Sequence, residues 1–460
     1  MRFARDLHAR PQAAYVVVVA ALGLVAVLAS AITVVGSDAL WLPALGDRIL
    51  AAREIPSGIP FAAAPSGDWV NTTAAGQLVL AAAHVGGSAG VVVAQVVAVV
   101  LTLGVLALHA SQLGARPTVT ALVIVGVTTG AAATFFIARA QLLSLVPFAM
   151  LLVLLRRQRD IPTRAIWWAV PLIAVWGNLH GAVLVGVALL GCYLLLSRLR
   201  LEPATAVGVG AASLLATCLN PGLIQAPRYY VGVLSGQATT DESGMWSRIS
   251  LDNPFDVLLV LAAVALGAAA LRQRRALWEY AAGLGLVVAT GSAARHGVWL
   301  LLFLAVPAAA SFGAPSTVFG ESPRRFLKIF SPVLAAIFVI VSAVVLTLRA
   351  PSFRASDADA AQLAATTRGQ VVLAQEPLVE SIAVAGATVW VSNPLDAFTS
   401  ADQAAYLAFM KGDKNGARAA FQRADVVVAA PGSPQAVAAS ASGFTPVRRV
   451  GSYVVLTRTN

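Results

Sequence analysis

Apolar runs of about twenty residues, separated by short polar turns, constrain this chain more than any other feature of its sequence. A run of that length spans the hydrocarbon core of a bilayer. Within lipid its backbone polar groups must be satisfied inside the segment, which a helix does. The runs fall near 13 to 35, 88 to 110, 118 to 136, 141 to 155, 165 to 178, 181 to 197, 204 to 219, 255 to 271, 276 to 292, 297 to 313 and 329 to 349. They predict about eleven transmembrane helices. Composition agrees: 58% of the residues are hydrophobic and 12% charged, against about 25% charged in a soluble domain. A water-soluble enzyme is thereby excluded for most of the length. The run from Ala13 to Val35 exceeds the apolar core of about 7–15 residues found in a cleaved signal and lacks a cleavage site, so it is expected to be the first span.

The formal charge of +11 has a positional explanation. With a cytoplasmic N-terminus, the inside turns collect Arg116, Arg156, Arg157, Arg159, Arg164, Arg198, Arg200, Arg272, Arg274 and Arg275. The opposite loops hold few arginines, among them Arg139, Arg228 and Arg295. This positive-inside bias orients the bundle. It also accounts for the basic charge without nucleic acid, because the arginines sit at helix ends and form no stripe interleaved with aromatics. Cys192 and Cys218 lie in separate apolar runs, so neither a disulfide framework nor a thiolate metal site is indicated.

The predicted architecture is an all-α polytopic membrane bundle over residues 1–350, followed by a small extracytoplasmic α/β domain over 351–460. In the tail, short β-branched runs at Val371–Leu373, Thr388–Val391, Asp425–Val428 and Tyr453–Leu456 alternate with helical stretches at Asp402–Met410 and Asn415–Arg423. Two loops on the outer side are long, 36–77 and 220–254, and carry most of the bundle's acids and several aromatics. Long loops in compact proteins are often functional.

Several residues stand out within these loops and turns. Asp38 ends the first span and precedes Ala39–Ala52, whose Leu40, Trp41, Leu45, Ile49 and Leu50 predict an amphipathic helix at the interface. Ser37 or Asp38 would cap that helix; alternatively, Asp38 is a carboxylate placed to take a proton from an acceptor hydroxyl. Arg139 and the pair Arg295-His296 occupy outer turns, against the positive-inside trend. Such guanidiniums either pair with an acid such as Asp38 or Glu242 or hold an anion, for which a planar fork suits a phosphate. Trp176-Gly177-Asn178-Leu179-His180-Gly181 sets an amide and an imidazole in a tight turn, either satisfied structurally or lining a site. Asn220-Pro221-Gly222 reads as a helix stop, and Asn71-Thr72-Thr73 matches a glycosylation sequon of low specificity.

Taken in order, these motifs resemble bacterial multi-spanning proteins of the glycosyltransferase C-type (GT-C) superfamily, whose first outer loop reads D-x-W-W-H-x-x-x-G-x-x-I, then I-P and a downstream G-x-x-W. Here the corresponding stretches are Asp38-Ala39-Leu40-Trp41, Gly46-Asp47-Arg48-Ile49, Ile55-Pro56 and Gly67-Asp68-Trp69. The resemblance continues through Arg139-Ala140-Gln141-Leu142, the Trp176–Gly181 turn, Asn220-Pro221-Gly222, Glu242 before Trp246, Ala294-Arg295-His296, and the tail with Val389-Trp390-Val391 and Asp396. It departs at Leu42, where the family has histidine, and at Ile59 and Thr73, where it has acids.

The resemblance implies sugar transfer from a polyprenyl-phosphate donor to an envelope acceptor on the outer face of the bacterial plasma membrane. Asp38 would be the base. Arg139, Asn178, His180, Glu242, Arg295 and His296 would bind substrate, and a divalent cation is a candidate cofactor. The alternative is a non-catalytic GT-C-like membrane protein that binds lipid-linked intermediates or envelope partners. A transporter is disfavoured, because no internal repeat and no mid-span charge is visible.

Overall fold

A computed structural model describes residues 3–158, 162–234, 247–313 and 324–458, with side chains over 16–158, 162–232, 247–313 and 332–458. Helices run back and forth between two ends of a bundle. Helix α1 (Phe3–Ile32) is followed by the two-residue strand β1 (Val34–Val35), then α2 (Asp38–Ala52), α3 (Ala74–His84), α4 (Gly87–Gln112), α5 (Pro117–Gly130) and the short α6 (Ala132–Phe135). Strand β2 (Ile137–Ala138) leads into α7 (Leu142–Arg157), α8 (Ala169–Leu179), α9 (Val183–Tyr193), the one-turn α10 (Leu199–Leu201), α11 (Pro203–Ala216) and α12 (Ala226–Leu234). The bundle closes with α13 (Pro254–Ala270), α14 (Leu277–Ser292), α15 (Gly297–Ala310) and α16 (Arg324–Thr366).

Among the described residues, Gly87–Gln112, Val183–Leu201 and Pro332–Thr366 are long and apolar enough to cross a membrane, and shorter apolar helices accompany them. Their outward faces stay apolar: Leu122 and Leu215 are each 70% exposed, which suits lipid rather than water. The chain is a multi-pass membrane protein. The helix ends and turns that carry Arg116, Arg156, Arg157, Arg200, Arg272, Arg274 and Arg275 share one end of the bundle. At that end Arg156 and Glu279, each with a side chain only 6% exposed, form an ion pair at 3.2 Å. Arg156 Nη2 also donates to the Phe303 carbonyl at 2.6 Å, joining α7, α14 and α15.

At the opposite end, helix termini are satisfied across the sequence. Arg349 donates to the Ser30 and Thr33 carbonyls at 2.7 and 2.8 Å, meeting orphan acceptors that end α1. Asp357 accepts from the Ser88 amide at 3.2 Å and from its hydroxyl at 2.5 Å, at the start of α4. Both anchoring residues lie on α16, which continues well beyond the span ending near 349 predicted from hydropathy. Pro351 sits inside it without ending it. The helix persists because its later face, Ala360, Leu363 and Ala364, is buried.

The segment after α16 builds a five-stranded sheet in the order β4 (Thr388–Val389), β3 (Val371–Ala374), β5 (Val426–Ala429), β7 (Tyr453–Arg458), β6 (Phe444–Val450). The first three are parallel, and β7 runs antiparallel to both β5 and β6. All four residues of the central β5 are buried, as a strand covered on both faces requires. Helices α17 (Leu378–Val384), α18 (Ser400–Met410), α19 (Arg418–Arg423) and α20 (Pro434–Ala441) flank the sheet.

The first long loop pairs with this sheet. Ala63 and Ala64 donate to the Val389 and Trp390 carbonyls at 2.7 and 3.0 Å, and Val389 donates back to Phe61 at 2.9 Å. The edge strand β4 is thereby covered. Helix α2 is buried along its first half rather than along one face, and Asp47, Arg48, Leu50, Ala51 and Ala52 of its second half are exposed. Every residue from Ala39 to Gly46 is buried, because α3 covers one side and α17 the other. Gly46 and Gly76 permit the close contacts: a Cβ on Gly46 would overlap the Gln77 carbonyl, and one on Gly76 the Leu179 carbonyl. Asn71 of the sequon is buried in a reciprocal amide pair with Gln77, at 2.9 and 2.8 Å, which removes it from any glycosylation reading.

Candidate active site

Two residues of parallel pairing set the site. Val34 pairs with Ile137 and Val35 with Ala138, and Gly36 then donates to the Ala138 carbonyl at 2.9 Å. The next residues on each chain are thus brought together, and Arg139 Nε lies 3.3 Å from Asp38 Oδ2. The Asp38 side chain is 30% exposed and that of Arg139 14%. The contact is an ion pair without hydrogen-bond geometry. Of the alternatives the sequence left open for Arg139, pairing with Asp38 is the one present.

Arg295 and His180 share this electrostatic neighbourhood. Burial pushes the Arg295 guanidinium below its usual pKa, Asp38 opposes that shift, and Arg139 adds to it. His180 is lowered to about 4 by burial first, then by Arg295, with Asp38 opposing and Arg139 contributing, so its ring is neutral at physiological pH. Ser144 Oγ lies 2.8 Å from His180 Nδ1, and the Ala182 amide donates to the same nitrogen at 3.2 Å. The Trp176 indole donates to Ser144 at 2.7 Å, directing the hydroxyl proton toward the imidazole. With two donors on Nδ1, the ring proton belongs on Nε2. His296 is likewise lowered to about 4, by burial and then Arg295.

Carboxylates from the sheet approach from the other side. Ser37 Oγ donates to Glu376 Oε2 at 2.9 Å. Burial, then the charge of Asp38, raises the Glu376 carboxyl, while Ser37, Asn393 and Arg139 pull it down. The fully buried Glu380 accepts from the Asn393 amide and side chain at 3.2 and 3.1 Å. Trp69, stacked edge-on against Trp41 at 6.1 Å and Tyr229 at 6.4 Å, donates to Asp396 at 3.2 Å. Burial raises the Asp396 carboxyl to about 6 against that hydrogen bond.

Other candidates fall elsewhere or act differently. Asn178 donates to the Ala174 and Leu219 carbonyls at 2.9 and 2.5 Å, so its amide protons fasten the turn. Asn220 folds an Asx turn onto the Gly222 amide at 2.8 Å, as a helix stop would. Glu242 lies outside the described residues. Glu376, Glu380 and Ser144 were missed by sequence reasoning. Ser144 carried no signal, while Glu376 and Glu380 looked like ordinary acids of a water-facing segment. Leu42 and Ile59 are 2% and 3% exposed, so both serve packing.

The described residues do not fit a divalent cation. Among those described, no three His, Cys, Asp or Glu side chains converge on a point. Leu42 and Ile59 offer no ligand, and Asp38 faces Arg139 with Arg295 nearby.

No protein-family model matches the chain, and no curated protein matches it in sequence. Solved structures do match in fold. ArnT from Cupriavidus metallidurans, determined with undecaprenyl phosphate bound, superposes with a TM-score of 0.50 at 15% identity, covering 96% of this chain and 97% of that one. The archaeal oligosaccharyltransferase AglB from Archaeoglobus fulgidus, in complex with an inhibitory peptide and a dolichol-phosphate, gives 0.54 at 11% identity, covering 90% of this chain and 69% of AglB. The mycobacterial arabinofuranosyltransferase AftD gives 0.52 at 14% identity, with 96% of this chain matched to 41% of AftD.

Proposed function

Starting from the GT-C-like fold that the chain shares with these glycosyltransferases, we propose that it transfers a sugar from a polyprenyl-phosphate donor to an envelope acceptor on the outer face of the bacterial plasma membrane. The observation that carries the reading is the Asp38–Arg139 pair, with Arg295 in its electrostatic neighbourhood. A carboxylate for the acceptor hydroxyl and two cations for a departing phosphate are the parts such a displacement needs.

In the proposed step the acceptor hydroxyl loses its proton to Asp38 as its oxygen bonds to the anomeric carbon. The bond from that carbon to the phosphate oxygen breaks, and the electron pair leaves with the polyprenyl phosphate, inverting the anomeric centre. Arg139 and Arg295 receive the added negative charge. Neutral His180 contributes its Nε2–H as a donor without bringing a further positive charge close to the two guanidiniums.

The lipid requires an apolar berth, and a groove of about 450 Å³ fits that need. It runs between α13, α14 and α15, lined by Leu259, Val264, Leu284, Val287 and Phe303, and by Thr290 and Gly291 near the end of α14 that precedes Arg295 in sequence. On this reading the sheet and Asp38 lie outside the cytoplasm, and the basic turns at the opposite end support it.

Purified protein offered a panel of polyprenyl-phosphate sugars should turn over at least one. Asp38→Asn should lower that turnover by on the order of 10²–10⁴-fold while still binding the donor. Turnover near the parental rate in Asp38→Asn would remove Asp38 from the role of base.

A further inference from the structure

We propose that Glu376 is a positioning residue of the transfer site, acting through Ser37 to hold Asp38, so that the sheet following the bundle completes the catalytic machinery. The inference rests on the reading of Asp38 as the base.

Ser37 occupies the position before α2 where a serine normally turns its hydroxyl onto an amide of the helix's first turn. Here it makes no such bond, and its backbone is already helical at φ −53 and ψ −46. The hydroxyl points across to the sheet instead and donates to Glu376 Oε2 at 2.9 Å. The backbone around Asp38 is therefore anchored on two sides. From below, Gly36 is tied to Ala138 at 2.9 Å; from above, Ser37 is tied to Glu376. The Asp38 side chain has one described ion-pair partner, Arg139, in a geometry that does not fix a hydrogen bond, so its aim depends on where the backbone is held.

The arrangement also costs free energy. Glu376 faces Asp38, Arg139 and Glu380, and bringing a carboxylate toward another carboxylate in a half-buried setting is unfavourable. A hydroxyl donor from the residue preceding the base partly offsets this, and it links the two acids in a fixed relation.

The test uses the full-length protein with Glu376→Ala, Glu376→Gln, Ser37→Ala and the Glu376→Ala/Ser37→Ala double variant. It reads kcat, KM for the lipid-linked sugar, and hydrogen exchange of the Ala39, Leu40 and Trp41 amides, which bond to Gly36 and Ser37. Glu376→Ala and Ser37→Ala should each lower kcat by roughly tenfold to a hundredfold, leave KM for the donor nearly unchanged, and speed exchange in that turn. The double variant should be no worse than either single one. Glu376→Gln keeps an oxygen that accepts the Ser37 proton and should behave nearly as the parent.

Unchanged kcat and exchange in Glu376→Ala would overturn the proposal, as would additive losses in the double variant or a Glu376→Gln as impaired as the alanine. If Glu376→Ala does not fold, Ser37→Ala, which leaves the sheet untouched, decides the matter by the same readings. Failure of the underlying reading shows separately, as normal turnover in Asp38→Asn. The exchange measurement then still reports whether Glu376 holds the turn.

Discussion

At the scale of single residues, what makes the site unusual is how little water it offers its charges. Arg295 keeps its cation against burial with help from Asp38, and Arg139, its side chain 14% exposed, lies 3.3 Å from the same carboxylate. Groups held that way are already oriented for charge that develops during reaction and need not reorganise when it appears. Arg295→Ala should therefore lower kcat by on the order of 10²–10³-fold. Arg295→Lys should recover only part of it, since an ammonium lacks the planar fork. Steady-state kinetics with the productive lipid-linked sugar checks this, and full activity in Arg295→Ala would assign the charge stabilisation elsewhere. Asp38, Arg139 and Arg295 were legible in the sequence because a charge at the end of an apolar span needs a reason. Glu376 was not, because acids are ordinary in a water-facing segment and its partner Ser37 lies 339 positions away.

At the scale of elements, helix identity followed from hydropathy, and the apolar runs predicted at 118–136 and 141–155 reappear as α5 with the short α6 and as α7, with boundaries moved by a few residues. The two-residue strands β1 and β2 could not be foreseen, since two residues carry no periodicity; yet their register sets Asp38 against Arg139. A different kind of lock holds the far end, where the Arg156–Glu279 pair is closed off from solvent. Removing one partner of a buried pair leaves the other charge stranded, which typically costs about 3–5 kcal/mol. Glu279→Ala should accordingly lower the melting temperature in detergent clearly, and a joint change to Arg156→Met with Glu279→Leu should restore much of it. Equal melting of Glu279→Ala and the parent would show that the pair contributes nothing.

At the scale of the whole molecule, bundle, first loop and sheet share buried polar groups, so stability and site geometry respond together to pH. Burial, and then the neighbouring Glu376, push the Glu380 carboxyl from 4.5 up to about 8. Between those values the folded chain keeps a proton that the unfolded chain has released. Its contribution to stability is thus complete below the lower value and is lost as pH rises through the upper one. Melting followed from about pH 6.5, above which the neutral His180 and His296 no longer oppose the trend, to about pH 8 should decline with rising pH, and Glu380→Gln should flatten that decline. An unaltered slope in the variant would place the effect on another group.

The sequence suggested a seam near Ala350, where composition changes. Composition reports solvent and not continuity, however, and α16 runs across that point to Thr366. Anyone building chimeras from this chain and a relative would do best to splice in the Thr367–Gly369 turn, where Gly369 takes a positive φ of 78. A cut at the compositional seam would split one rod between two parents and leave Arg349 and Asp357, which fasten α1 and α4, on opposite sides of the junction.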